Sequence, residues 1–177
     1  CAVKTGARID KCGYVELNPL TPLWRVVVTA SDLTASHDAV IHRLNLRRSV
    51  SEVVSGFHKD CVRRKIARSE REGLRYEEGR SEELLQKFYP LLLMTRRRHG
   101  LPPQPLLWFR NLIACLGERL KIRVASSKDG TPVASIVTLS FKKVVTYKYG
   151  CSDSRFNALG GTALLMWRTI EEAMRNG

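Results

Sequence analysis

Residues 128–177 read KDGTPVASIVTLSFKKVVTYKYGCSDSRFNALGGTALLMWRTIEEAMRNG, and this stretch decides the fold. Asp129-Gly130 is a tight-turn dipeptide of the kind that joins antiparallel strands. Val133 to Phe141 and Val144 to Tyr149 are two strand-like runs. Gly150 to Gly161 is a polar bend carrying three glycines. From Thr162 to Asn176, Met166, Trp167, Ile170, Ala173 and Met174 form the apolar stripe of an amphipathic helix. The unit is a hairpin, a polar loop and a helix, and the junction of loop and helix is a place where a ligand is easily held.

Working outward, the segments before this unit read as elements that pack around it. Gly13 to Leu17 and Trp24 to Thr29 are short strands, separated by a loop in which Pro19 and Pro22 resist regular structure. Val40 to Leu46 alternates apolar with polar and reads as a further strand. Ser51 and Glu52 open a helical region. Ser55 to Glu72 reads as one charged helix, with Phe57, Cys61 or Val62, Ile66 and Ser69 on a thin apolar stripe, and Gly73 as its C-cap. Leu74 to Glu77 is a strand. Ser81 caps the next helix, whose Leu84, Leu85, Phe88, Leu91, Leu92 and Thr95 recur at helical spacing through Pro90 to the basic turn Arg96-Arg97-Arg98-His99, which reads either as a helix terminus suited to the dipole or as a phosphate contact. Leu106 to Leu116 is a second helix and Leu120 to Ser126 an alternating strand. From Leu74 onward the order is strand, helix, helix, strand, strand, strand, helix, which is an α/β arrangement.

Composition bounds the function classes. The 177 residues, 44% of them hydrophobic, allow one good-sized domain or a domain with part of another. The five cysteines are odd in number and widely spaced, and with four scattered histidines they form no disulfide framework and no metal-ligand spacing. No metal site is expected. No apolar run is long enough to span a bilayer and residues 1–20 are not a signal peptide, so the expected location is cytoplasmic. Thirty basic against seventeen acidic residues give a net charge of +13, which favours an anionic partner. That partner is a phosphorylated small molecule, a nucleic acid such as tRNA, or a membrane surface met peripherally. The chain begins at Cys1 rather than Met and stops at Gly177, where a helix ends and another strand is expected, so both ends read as cut from something longer.

Four stretches carry a family resemblance: His58 to Arg68 ahead of Gly73-Leu74, Phe88 to Pro102, Asp129 to Ser135, and Thr146 to Asp153 followed by Gly161 to Gly177. In this order they resemble the GNAT-like N-acyltransferases, in particular the FemAB/FemX-related branch of peptidoglycan-bridge and exopolysaccharide-associated proteins. The resemblance implies a GNAT-like mixed sheet flanked by helices and truncated at both ends. It implies residues 1–50 as the remnant of a first such domain and 51–177 as a second lacking its C-terminal strands. It further implies an opening beside a strand where a pantetheine-like arm can bind, with a helix N-terminus to receive pyrophosphate. The expected activity is transfer of an acyl or aminoacyl group to an amine of a cell-wall or polysaccharide precursor. The donor is acyl-CoA or aminoacyl-tRNA, held as a substrate rather than as a tightly bound cofactor. The acceptor is a small or lipid-linked phosphorylated molecule.

The candidate site residues follow. Arg155, Asn157, Gly160 and Gly161 stand where the family's phosphate-binding loop falls, although Ala158 interrupts the glycine spacing. The alternative for the two glycines is plain helix-start chemistry. Tyr147, Tyr149 and Asp153 are the catalytic candidates. By two-residue periodicity Tyr147 and Tyr149 share a face with Val145, and Lys148 points away. Asp153 either serves as base, provided burial raises its pKa, or caps a turn. Ser152, Lys59, Arg63, Arg64 and Arg68 are candidates for substrate or phosphate contact. Cys151 lacks a histidine partner, so direct attack by the amine is expected rather than an acyl-enzyme. Two readings compete with the enzyme: a nucleic-acid-binding module using the basic helix, and a non-catalytic GNAT-like scaffold.

Overall fold

The computed structural model describes residues 40–176. The chain divides into two compact units, Cys1–Leu44 and Asn45–Gly177, and every regular element described belongs to the second. The strands read at Gly13 to Leu17 and Trp24 to Thr29 lie outside the described residues, as does most of segment 1–50.

The elements are α1 (Val50–Ser55), a π-helical turn Lys59–Arg63 running into α2 (Arg64–Arg71), β1 (Arg75–Gly79), α3 (Glu82–Arg98), α4 (Leu106–Leu116), β2 (Leu120–Ser126), β3 (Pro132–Phe141), β4 (Val144–Ser152), a 3-10 segment Ser154–Leu159, and α5 (Gly161–Asn176). From β1 onward the order is the one read from sequence. The strands form a four-stranded sheet in the order β1-β2-β3-β4, and each pairing among the described strands is antiparallel. The sheet is flanked by helices on both faces, as an α/β layer requires.

Period-two alternation in the strands makes two cores. On one face Ile122, Val124 and Val137 meet Leu84, Leu85, Phe88, Leu91 and Leu92, the inward stripe of α3. Phe109 of α4 completes this core, edge-on to Phe88 at 5.1 Å and to Tyr149 at 5.2 Å between ring centres. On the other face Ala125, Ala134 and Ile136 pack against Leu165 of α5. Gly161 starts α5 so close to the sheet that a Cβ there would lie 3.0 Å from the Ala134 methyl.

The second face also holds a buried charge. Arg123 is 3% exposed in the middle of β2. Its guanidinium donates to Thr138 Oγ1, to Glu172 Oε2 on α5, and at 3.1 Å to the Tyr76 hydroxyl. Glu78 stands 3.4 Å away, and Lys121 bonds both Glu78 and Glu172. Burial pushes the Glu172 carboxyl up, but the bonds from Lys121 and Arg123 outweigh it and hold the group below its ordinary 4.5. One cluster thus ties β1, β2, β3 and α5 together.

Two expectations are corrected. Residues 40–45 are irregular, not a strand: Val40 is 84% exposed and no described strand lies alongside to bond this backbone. The helix read over Ser55 to Glu72 is broken. A first helix opens at Ser49, whose side chain and that of Glu52 form a reciprocal capping box, and closes at Gly56. The chain then extends at His58, whose Nδ1 accepts from the Asp60 and Cys61 N–H groups and caps the π turn. Phe57, drawn edge-on to Trp167 at 5.6 Å, sits at the break and docks the pair of helices on α5.

Removing Glu172 strips a buried guanidinium of its main counter-charge. Glu172→Gln is expected to cost on the order of 3 kcal/mol, read from urea unfolding midpoints. The pH sign follows from the depressed Glu172 pKa. Its contribution is complete above the ordinary value and is lost as pH falls through the folded-state value, so the wild type loses its advantage over the variant in acid.

Candidate functional site

The candidate site is organised by the C-terminal half of β4 and the segment that carries it into α5. Opposite Val137 stands Tyr149, but opposite Thr138 stands Tyr147, so Lys148 is a bulged residue. Directly opposed residues share a face, and Val137 and Thr138 point to opposite faces. The two tyrosines are therefore separated, which corrects the shared face read from their spacing. Tyr149 joins the α3/α4 core, where its hydroxyl oxygen accepts from Trp108 Nε1 at 3.3 Å. Tyr147 lies over Gly150 on the other face, its hydroxyl 1.6 Å from where a Gly150 Cβ would be. Burial, with Cys151 nearby, pushes the Tyr147 hydroxyl up although the residue is 48% exposed.

The outer edge of β4 faces α3. Ser152 turns its backbone outward: its N–H donates to Thr95 Oγ1 at 3.1 Å, and the Thr95 hydroxyl donates back to its carbonyl at 3.3 Å. By the same period the Gly150 N–H and C=O face outward, and no described strand pairs with them. Beside them a cleft of about 260 Å³ opens, lined by Leu92, Thr95, Arg96, His99, Leu101, Lys148, Tyr149 and Gly150.

A larger cleft, about 470 Å³, lies on the opposite face between the π turn and α2 on one side and the start of α5 on the other. Its walls are mainly apolar, including Phe57, Val62, Ile66, Met166 and Trp167, and its polar groups include Lys65, Ser152, Asn157 and Thr162. Ser152 Oγ donates to Asn157 Oδ1 at 3.0 Å. Gly160 and Gly161 line its floor. Gly160 is left-handed at φ 77° and packs on α2, where a Cβ would meet the Lys65 carbonyl oxygen at 2.4 Å. Both glycines are thus required by close packing at the start of α5.

Asp153 is the N-cap of the 3-10 segment, accepting from the Arg155 N–H at 3.0 Å. Its carboxylate, 6% exposed, also takes the Arg155 guanidinium, at 2.6 Å for the nearest pair. The bonds from Arg155 hold the Asp153 carboxyl below its usual range against the opposing effect of burial. The condition for Asp153 as a base, a raised pKa, is not met, and the capping alternative is what the loop displays. Cys151 is not in a loop. It ends the α3-facing row of β4, buried among core residues, with its thiol directed at the Phe88 and Ser135 carbonyls and pushed well up by burial.

Of the basic candidates on the π turn and α2, Arg64 pairs with Asp60 at 3.2 Å and Arg68 with Glu72 at 3.7 Å. Neither they nor Lys59 and Arg63 line either cleft. Lys65, one position beyond Arg64, does. Site features that sequence reading missed are Gly150, Lys148, Trp108 and Thr95. A glycine within an alternating run is itself a bulge signal, and Gly150 offered one. Nothing in the sequence announces the Thr95 contact. Among the described residues no three His, Cys, Asp or Glu side chains come together as a metal site, and no helix is long and apolar enough to cross a membrane.

A sequence profile described as the acetyltransferase (GNAT) domain matches residues 56–177. The chain belongs to this family. The fold is similar to the crystal structure of FemX, at a TM-score of 0.67 and 12% identity over 75% of this chain and 49% of that one. The structure of L-PGS from Bacillus licheniformis is similar at a TM-score of 0.51 and 16% identity over 70% of this chain and 38% of that one. This chain therefore spans at most about half the length of these two proteins. A comparison with curated proteins found no match.

The two glycines of β4 and its loop separate fold from site. Gly160→Ala meets a backbone carbonyl in a left-handed conformation, and a loss of about 2 kcal/mol or more is expected in chemical unfolding. Gly150→Ala meets only the end of a half-exposed tyrosine, which can swing outward. It is expected to keep its melting temperature while Tyr147 becomes more accessible, as read by fluorescence quenching.

Proposed function

We propose that this domain transfers an acyl or aminoacyl group to a primary amine, the acceptor being a cell-wall or polysaccharide precursor. The observation that carries the reading is the outward edge of β4 at Gly150, with which no described strand pairs, in a chain of the GNAT family. An edge of this kind offers a backbone N–H and a C=O to an extended, amide-bearing donor arm, as a neighbouring strand would.

Each cleft has a part. The larger cleft, with Lys65, Ser152 and Asn157 near the first turn of α5, takes the phosphate-bearing body of acyl-CoA or the acceptor end of an aminoacyl-tRNA. Arg155 is committed to Asp153 and contributes by holding the loop. The smaller cleft takes the amine. The chemistry is direct. The amine nitrogen attacks the carbonyl carbon and a C–N bond forms. The carbonyl electrons move onto oxygen as the tetrahedral species forms. The tetrahedral species collapses with loss of the C–S bond of a thioester or the C–O bond of an ester. The proton released by the amine balances the proton gained by the leaving group.

Tyr149 is the favoured proton donor. It lines the smaller cleft, and its hydroxyl oxygen accepts from Trp108, which leaves the O–H proton available for donation. Asp153 serves as a positioning residue. Cys151, with a buried and disfavoured thiolate, supports direct attack over an acyl-enzyme. The local pairing of Arg64 and Arg68 weighs against the basic helix as a nucleic-acid reader.

The test is to incubate the protein with isotopically labelled acyl-CoAs or charged tRNA and amine-bearing wall or polysaccharide precursors, following transfer by mass spectrometry. Amide formation from either donor supports the reading, and its absence with both donor classes sinks it. Within an active preparation, Tyr149→Phe is expected to lower kcat by about 10²-fold with little change in KM. Cys151→Ala is expected to leave kcat unchanged.

A further inference from the structure

The smaller cleft has a chemical character that amine binding alone does not require. Arg96 and His99 reach it from the last turns of α3 and Lys148 from the bulge of β4. Leu92 and Leu101 supply apolar wall, and no Asp or Glu lines it. The Arg96 guanidinium is held by a neutral group, Gln104 Oε1, at 3.4 Å. Among the described residues no ion pair is formed by Arg96, His99 or Lys148, whereas Lys87, Arg110, Lys121, Arg123 and Arg155 all meet carboxylates. Two cations, Arg96 and Lys148, and the His99 imidazole, from two elements, therefore line one concave surface without a carboxylate among them.

A cationic helix terminus is the simplest account of Arg96 and His99, since cations suit the C-terminal end of a helix dipole. It does not account for Lys148, which lies on a different element and reaches the cleft only because the strand bulges there. Nor does it account for Gln104, which fixes Arg96 without neutralising it. An amine substrate in its charged form is repelled by such a lining unless it brings negative charge of its own. We propose that this cleft is an oxyanion-binding site and that the acceptor carries a phosphate or carboxylate close to its reacting amine. Lys148 and Arg96 hold the oxyanion and His99 adds an N–H donor. Held there, the anion fixes the acceptor against the Gly150 edge. It also offsets the repulsion that the basic lining exerts on a charged amine. The proposal rests on the acyl-transfer reading for the identity of the ligand as acceptor, but the anion site is testable without any turnover.

The probes are inorganic phosphate and acetate, titrated separately into the whole protein at low ionic strength and followed by heteronuclear NMR. The expected result is a saturable shift of the His99 ring signals and the Lys148 and Gly150 amides, with the response weakened by added sodium chloride. Lys148→Gln and Arg96→Gln should each weaken the response at least five-fold without changing the melting temperature. Which of the two probes binds more tightly tells whether phosphate or carboxylate is the native group. Linear, unsaturated shifts overturn the proposal, as do shifts of equal size at the solvent-facing pair Lys142 and Lys143, or unchanged binding in both variants. A protein that binds the anion but transfers no acyl group overturns the transfer reading and leaves this site standing. One that transfers but shows no anion site does the reverse. In an active preparation, Lys148→Gln should raise KM for an anionic acceptor at least ten-fold. KM for a neutral analogue of the same amine should be unmoved. Equal effects on both acceptors count against the proposal.

Discussion

The Arg123 guanidinium is the constraint on which the rest of the sheet depends. A full positive charge at 3% exposure is tolerable only when its donors are met, and the acceptors come from three separate elements of the chain. Tyr76 and Glu78 bring β1, Thr138 brings β3, and Glu172 brings α5. Hydrophobic burial on this face is modest, resting on small residues such as Ala125 and Ala134. Small side chains bring α5 close but specify its position weakly, and the directional bonds of Arg123 supply what the packing does not. The position of α5 matters because its first turn, with Gly160 and Gly161, forms the floor of the larger cleft. Site geometry at one end of the helix is thus anchored by ionic contacts at the other.

The opposite face is held differently. Five inward residues of α3 and the aromatic group Phe88, Phe109 and Tyr149 make a dense apolar core. Tyr149 belongs to this core through its ring and to the smaller cleft through its position beside Gly150. A hydroxyl carried on a packed ring has little freedom, and the Trp108 bond fixes it further. The Thr95 hydroxyl does comparable work on the backbone, serving Ser152 as donor and acceptor where a strand would otherwise do so.

Much of the architecture was legible because its signals were periodic. The stripe from Leu84 to Leu92, the alternation from Leu120 to Ser126 and the Asp129-Gly130 turn each led to the observed element. The order of elements from Leu74 onward pointed to the GNAT family. What was not legible turned on single residues that break a period. Alternation identified β2 as a strand but gave no sign that Arg123, on its supposedly polar face, is buried beneath α5. The capping box at Ser49 and Glu52 was present in the sequence, yet the helix start was placed two residues late. His58 acting as a cap has no strong sequence signature, so two helices were read as one. Around the site, strict alternation puts the tyrosines on one face, and the bulge signal of Gly150 does not say that the extra residue is Lys148. Asp153 and Arg155 were assigned separate roles, although a carboxylate and a guanidinium two residues apart satisfy each other first.

The bulge at Lys148 also sets how freely this domain can vary. A register error in an ordinary strand travels its full length, because every residue beyond the slip changes face. In β4 the extra residue lies between the hairpin end, Val144 to Tyr147, and the segment from Tyr149 to Ser152 that borders both clefts. Length changes at the Phe141–Val144 turn can be absorbed there without reaching the second segment. The hairpin tip, with Phe141 and Val144 exposed, is then free to drift among relatives while the interior half of the strand stays in phase. The strand behaves as two modules with independent tolerances, and the bulged position is the joint between them.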